Sequence, residues 1–206
     1  MKPLPRTRRL IHTLVLRPVM RGLGLTVRNA ELLPTAGPAI VVANHNSHLD
    51  TAALLAAFPG SALHRVRPAA AADYFLRNRL IAWISRRLIG ILAVERVSGS
   101  DPLAECRAAL GRGDVVLLFP EGTRGEPGRM QRFRGGVAAL ARDLPDLPIV
   151  PVHISGTERA MPRGVHFPRC RGIRLTVGRP DYLRDPDPAT ALARLQYEVE
   201  ALGRAA

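Results

Sequence analysis

Residues 44–50 carry side chains of the types that move protons. The run reads Asn-His-Asn-Ser-His-Leu-Asp, so four residues separate His45 from Asp50. An imidazole has an unperturbed pKa of about 6.5 and can take a proton from a hydroxyl at neutral pH. A carboxylate on its other nitrogen would fix the tautomer and stabilise the imidazolium. The spacing therefore favours His45 as a general base oriented by Asp50; the alternative is that both residues only cap a helix.

Metal and cofactor chemistry is not indicated by the sequence. His45 and His48 are close, which leaves a zinc site as a weaker alternative, but neither a cysteine nor a third histidine follows at ligand spacing. The chain has no P-loop, no dinucleotide fingerprint and no G-x-S-x-G nucleophile elbow. We therefore expect no metal, no bound cofactor and no serine nucleophile.

A second run, Phe-Pro-Glu-Gly-Thr-Arg at residues 119–124, offers groups suited to binding. Gly122 permits close approach of the backbone to a ligand, and Thr123 supplies a hydroxyl. Arg124 presents a planar fork of donors that matches phosphate. Glu121 could bind a ligand hydroxyl or hold an arginine in place. The alternative is a polar turn with a surface arginine.

Arg96 ends a third run, residues 90–96, and also follows an apolar segment. If both segments are strands of one sheet, Arg96 and Arg124 could meet at one edge and bind a phosphate together. The alternative for Arg96 is a surface ion pair with Glu95 or another acid.

These runs lie between segments that alternate between strand and helix patterns. The alternation predicts a single layered α/β domain with a largely parallel or mixed central sheet flanked by helices. Predicted strands are residues 39–43, 66–72, 91–94, 115–119, 149–154 and 173–177; predicted helices are residues 49–58, 74–88, 101–110, 136–142 and 189–202.

The first 30 residues form a basic arm that precedes the predicted domain at residues 31–206. The arm has no acidic residue, and its apolar side chains recur at roughly helical spacing among arginines. This pattern predicts a basic amphipathic helix that contacts a membrane surface; the alternative is a solvated helix packed on the domain. No stretch of 18 uncharged apolar residues occurs, so no membrane-spanning helix is expected.

The whole chain is strongly basic, with 30 Lys and Arg against 17 Asp and Glu and a net charge of +13. Such an excess needs an anionic partner, which could be nucleic acid, an anionic membrane or a phosphorylated substrate. Aromatic residues make up only 4% of the chain, which argues against a base-stacking surface. We therefore expect no nucleic acid partner.

Taken together, these runs resemble the glycerolipid acyltransferase family, whose enzymes acylate glycerol-3-phosphate and lysophosphatidic acid. The matching positions are His45, Ser47 and Asp50 in an N-H-x-S-x-x-D block, Arg96 in a second block, Glu121, Gly122, Thr123 and Arg124 in an unchanged F-P-E-G-T-R block, and residues 147–152 in a fourth, apolar block. Pro151 would then lie near the acceptor. One departure is Glu95, where the family usually has an aspartate, and it leaves acceptor specificity open.

The resemblance implies an acyl donor, acyl-CoA or acyl carrier protein, and a lysophospholipid acceptor such as 1-acyl-glycerol-3-phosphate. It implies that His45 and Asp50 are catalytic and that Arg96, Glu121, Gly122, Thr123 and Arg124 bind substrate. With the basic arm, it implies a peripheral protein on the cytoplasmic face of the cell membrane. The alternatives are an acceptor without phosphate such as lyso-ornithine lipid, a hydrolase that passes the acyl group to water, and a non-catalytic basic module that binds membrane or nucleic acid.

Overall fold

The computed structural model describes residues 5–71, 83, 85–94, 101–123, 129–161 and 172–204. In these ranges the strands form one sheet in the order β1-β7-β6-β2-β5-β3-β4. The strands are β1 Thr26–Arg28, β2 Ala39–Ala43, β3 Val66–Ala71, β4 Leu92–Val94, β5 Val115–Leu118, β6 Ile149–Ser155 and β7 Arg174–Val177. All neighbours are parallel except β6 and β7. The predicted α/β class with a mixed sheet is confirmed.

The central strands are buried on both faces, which explains their nearly continuous apolar sequences. Along β2, Val41 and Ala43 belong to one apolar cluster, and Ile40 and Val42 belong to a second cluster on the other face. Helix α3, Leu49–Ala57, covers the first face together with the N-terminal helices. Helices α4 Ala104–Gly111, α5 Gly136–Asp143 and α7 Pro188–Arg204 contribute to the second cluster, and a short helix, α6 Thr157–Ala160, follows β6.

The N-terminal arm is helical from Pro5 to Gly22, in agreement with the predicted amphipathic helix. It comprises α1 Pro5–Ile11, a π-helical stretch His12–Leu16 and α2 Arg17–Gly22. Arg8, His12 and Met20 are buried on the inward side, and Leu16 is partly buried there against the first apolar cluster. Among the described residues, no helix is long and apolar enough to cross a bilayer.

Element boundaries differ slightly from those predicted. The helix predicted from residue 101 begins at Ala104, because Asp101 accepts a bond from the Leu103 backbone N–H in a turn before the helix. Strand β1 has no predicted counterpart, since its three residues show no clear alternation. Most of the helix predicted over residues 74–88 lies outside the described residues, and the described stretch Ser85–Ile89 is π-helical.

Candidate active site

The first histidine of the 44–50 run lies at the carboxyl end of the sheet. β2 ends at Ala43 and β5 ends at Leu118, and the two strands are parallel neighbours. His45 is the second residue after β2, and its ring stacks on Phe119, the first residue after β5, with centroids 4.3 Å apart. Because the carboxyl ends of parallel strands form one rim, the two predicted runs meet there.

His45 and Asp50 contact each other directly. Nδ1 of His45 lies 2.9 Å from Oδ2 of Asp50, whose side chain is fully buried while that of His45 is 20% exposed. The same carboxylate oxygen accepts bonds from the backbone N–H groups of Asn46 at 2.6 Å and Ser47 at 2.7 Å. These two donors fix Oδ2 as an acceptor, so the Nδ1 proton lies on the ring and Nε2 has the free lone pair. The pair thus has the geometry of an oriented general base.

Asn44 fixes the backbone from which His45 projects. Its side-chain amide donates to the Ile154 carbonyl at 2.8 Å, and its side-chain oxygen accepts from the Ile154 N–H at 2.7 Å. Asn44 therefore extends the pairing of β2 with β6 by one residue beyond Ala43 through a side chain. This contact was not foreseen, because its partner is 110 residues away.

Glu121 joins two loops and is almost fully buried, with 1% of its surface exposed. Its Oε1 accepts a bond from the His45 backbone N–H at 2.7 Å, and its Oε2 accepts one from the Gln131 N–H at 2.8 Å. Burial raises the pKa of Glu121 above its ordinary value, and these two bonds oppose the rise. Both carboxylate oxygens thus bond to backbone and fix the loop of His45, and the predicted role of Glu121 in substrate binding stays a prediction.

The other residues of the F-P-E-G-T-R run are only partly described. Gly122 has a φ of +75°, a conformation that favours glycine, and Thr123 is exposed. Arg96 and Arg124 lie outside the described residues, so their convergence on a phosphate remains a prediction.

Neither Ser47 nor Cys106 has the environment of a nucleophile. The Ser47 hydroxyl is bonded to the Leu49 N–H and the Met161 carbonyl. Cys106 is fully buried in the second apolar cluster, and burial raises the pKa of its thiol to about 12, with a smaller contribution from Glu105. A thiol with that pKa is protonated at neutral pH, so neither residue is suited to form an acyl-enzyme.

Comparison with known proteins places the chain in a family. Residues 24–155 match the family model for Acyltransferase. The 1-acyl-sn-glycerol-3-phosphate acyltransferase alpha of Bos taurus is 31% identical over 185 residues, which are 84% of this chain and 60% of that protein. A chloroplastic 1-acyl-sn-glycerol-3-phosphate acyltransferase of Brassica napus is 29% identical over 161 residues, 76% of this chain and 44% of that protein. The chain thus spans about half the length of these curated relatives.

The fold has a solved counterpart. The crystal structure of the 1-acyl-sn-glycerophosphate acyltransferase PlsC from Thermotoga maritima matches with a TM-score of 0.71 and 21% identity, covering 98% of this chain and 84% of that one. At this identity the match supports the fold alone. The family model, however, runs from the loop before β1 to the end of β6 and includes His45, Asp50 and Glu121, well over half of the chain. The protein belongs to the Acyltransferase family.

Proposed function

We propose that the protein moves a fatty acyl group from acyl-CoA or acyl carrier protein to the free hydroxyl of a lysophospholipid. The proposed acceptor is 1-acyl-glycerol-3-phosphate and the product is phosphatidic acid. Relatives at about 30% identity are named as 1-acyl-sn-glycerol-3-phosphate acyltransferases, which supports this choice. The observation that carries the proposal is the 2.9 Å contact between His45 and Asp50, because a module that only binds has no need of an oriented base.

In the proposed mechanism, Nε2 of His45 takes the proton of the acceptor hydroxyl as its oxygen attacks the thioester carbonyl. Asp50 holds the ring through Nδ1 and stabilises the imidazolium that forms. The carbon–sulfur bond then breaks, the thiolate leaves and receives the proton, and the acyl group stays on the acceptor oxygen. Because a thiol has a pKa of about 8.5, the thiolate is a good leaving group and no acyl-enzyme is required.

In this proposal, the acceptor is recognised by residues 119–124 and by Arg96. Arg96 and Arg124 bind the acceptor phosphate through charge-assisted hydrogen bonds. Thr123 and Gly122 shape the adjacent rim, and Glu121 holds the His45 loop beside them.

The test is a thiol-release assay with acyl-CoA, run with lysophosphatidic acid, with lyso-ornithine lipid and without acceptor. We expect release that depends on lysophosphatidic acid and that falls by about 10²–10⁴ in His45→Ala, because general-base catalysis is lost. His64→Ala, which changes an exposed histidine, is the control. Release of fatty acid without acceptor would instead indicate a hydrolase. Preference for lyso-ornithine lipid would exclude the phosphate acceptor, and unchanged turnover in His45→Ala would remove His45 from the mechanism.

We also propose that the N-terminal arm binds the cytoplasmic face of an anionic cell membrane. In this proposal the protein is a peripheral membrane protein. The outward side of the arm is apolar, with Leu10 58%, Leu14 64%, Val15 54% and Val19 51% exposed. Exposed arginines of the same helices flank these residues, including Arg9 and Arg21. An apolar face bordered by arginines suits the boundary between acyl chains and anionic headgroups.

A substitution tests the membrane contact of the arm better than a truncation does. Truncation would also remove Met20 and Leu23, which lie in the apolar core. We expect Leu14→Ser to weaken binding to vesicles of phosphatidylcholine and phosphatidylserine severalfold, because it removes buried apolar area from the bilayer interface. Leu144→Ser, at an exposed leucine elsewhere, is the control. Equal vesicle binding by both variants and the wild type would contradict the role of the arm.

A further inference from the structure

Arg134 lies across the turn that follows β5. A Cβ atom added to Gly122 would come within 2.9 Å of Nε and 3.1 Å of Cζ of Arg134, so the guanidinium rests on the bare α-carbon of that glycine. Only glycine allows this approach together with the φ of +75°. The contact places a cationic side chain, Arg134, on the Gly122 turn. Glu121 of the same turn bonds the backbone of His45. The sequence patterns had not indicated a role for Arg134.

The backbone around Arg134 is fixed on several sides. The Arg134 N–H donates to the Pro120 carbonyl at 2.9 Å, and the Gln131 N–H donates to Glu121 at 2.8 Å. Between them, Phe133 is buried in the second apolar cluster, and its N–H donates to the side-chain oxygen of Gln196. With Phe133 held in the core and the Arg134 N–H bonded to Pro120, the Arg134 side chain lies on the Gly122 turn.

Arg134 is an exposed residue. Within the described ranges, no ion pair includes it. Among the described residues of this turn, Glu121 is an acid, but it is buried and has both oxygens bonded to backbone N–H groups. A planar guanidinium held at a site rim binds phosphate in bidentate fashion.

We propose that Arg134 binds the phosphate of the acyl acceptor and selects for phosphorylated acceptors. This inference rests on the proposed function. In 1-acyl-glycerol-3-phosphate the free hydroxyl and the phosphate are on neighbouring carbons, so a phosphate ligand must lie close to the base. Arg134 packs on Gly122, and the preceding residue, Glu121, accepts a bond from the backbone N–H of His45. The phosphates of acyl-CoA are separated from its thioester by the whole pantetheine arm, so the acceptor phosphate fits this position better.

The experiment compares wild type, Arg134→Ala and Arg134→Lys, with Arg142→Ala as a control for loss of one exposed positive charge. Steady-state rates are measured with lysophosphatidic acid and with monoacylglycerol, which lacks the phosphate, at varied acyl-CoA. We expect Arg134→Ala to raise the KM for lysophosphatidic acid on the order of tenfold or more, because a charge-assisted contact is lost. The KM for acyl-CoA and the rate with monoacylglycerol should stay within about twofold. Lysine, a point charge without the fork, should restore part of the affinity.

A direct binding measurement separates this inference from the proposed function. Isothermal titration of hexanoyl-lysophosphatidic acid, a short-chain acceptor, should show the same loss in Arg134→Ala and no change in Arg142→Ala. A rise in the KM for acyl-CoA alone, or an equal fall in kcat with both acceptors, would overturn the assignment. Absence of acyl transfer by the wild type would defeat the proposed function, whereas normal transfer with unchanged binding in Arg134→Ala would defeat only the role of Arg134.

Discussion

Glu121 shows how one side chain sets the geometry of another in this protein. Its carboxylate accepts the backbone N–H of His45 and that of Gln131, although its sequence neighbours suggest a ligand-binding role. A buried carboxylate that accepts two backbone bonds stabilises one loop conformation. We therefore propose that Glu121 positions His45, and we expect its substitution to affect catalysis more than affinity.

Glu121→Gln should lower kcat about tenfold with little change in the KM of the acceptor. The amide keeps the size of the side chain, but its NH₂ group faces a backbone N–H that it cannot accept, so one loop loses its bond. Steady-state kinetics check this, with a thermal melt to confirm folding and Glu31→Gln, at an exposed glutamate, as control. A rise in acceptor KM with normal kcat would indicate instead that Glu121 contacts the substrate.

At the scale of elements, polar side chains bond to loop backbone at the carboxyl end of the sheet and form ion pairs at its amino end. At the carboxyl end, Asn44 and Glu121 fix loops. At the amino end, Asp114 lies just before β5 and pairs with Arg67 of β3 at 3.4 Å and with Arg112 at 3.5 Å. Arg8 of the arm also reaches this end, where it donates to the Val66 carbonyl. Burial lowers the pKa of Arg8 to about 9, and the charge of Arg67 contributes to the shift.

Asp114→Asn should lower the free energy of unfolding by about 3 kcal/mol, because it leaves the buried Arg67 guanidinium without its carboxylate. Urea denaturation measures the change. The matched control is Asp146→Asn, which breaks an exposed pair with Arg184 and should have no measurable effect. Acyl transfer by the folded Asp114→Asn protein should be normal, because the pair lies at the opposite end of the sheet from His45. Equal stability of both variants would show that the Arg67 pair contributes nothing.

At the scale of the whole molecule, the buried His12 and the partly buried His153 are expected to make stability depend on pH. Burial is the main cause that lowers the pKa of each histidine. For His12, the charges of Arg17 and Arg8 lower the pKa further, and the hydrogen bond of its ring with the Leu55 carbonyl opposes the shift. For His153, the charge of Glu158 opposes the shift. Between their lowered pKa values and the unfolded value near 6.5, the unfolded chain binds more protons than the native protein. The stability that the two neutral histidines contribute is therefore fully present above pH 6.5. It is lost as the pH falls from 6.5 through their lowered pKa values in the native protein.

We expect the free energy of unfolding to decrease when the pH is lowered from 7.5 to below 6, by at most about 1.4 kcal/mol per unit of pH for each histidine. Denaturation curves at several pH values check this. His12→Gln and His153→Gln should each flatten the dependence, whereas His64→Gln, at an exposed position, should leave it unchanged. A pH dependence that is the same in all three variants would assign it to other groups.

The sequence by itself determined the features that depend on neighbouring residues. Strands β2, β5 and β6 follow from short apolar runs, and the contact between His45 and Asp50 follows from spacing, because both residues lie in one strand-to-helix turn. The family resemblance rested on these same local blocks. Apolar strands and contacts between near neighbours in the sequence depend only on local residue type, spacing and periodicity.

Tertiary structure alone decided which distant residues meet. The partnership of Asn44 with Ile154, of Glu121 with both His45 and Gln131, and of Arg134 with Gly122 depends on strand order, which places β2 between β5 and β6. Strand order is settled by the packing of both apolar faces over the whole chain, and no short run of residues encodes it. For that reason the sequence predicted the pairing of His45 with Asp50, whereas the residues that hold the pair in position emerged only from the folded chain.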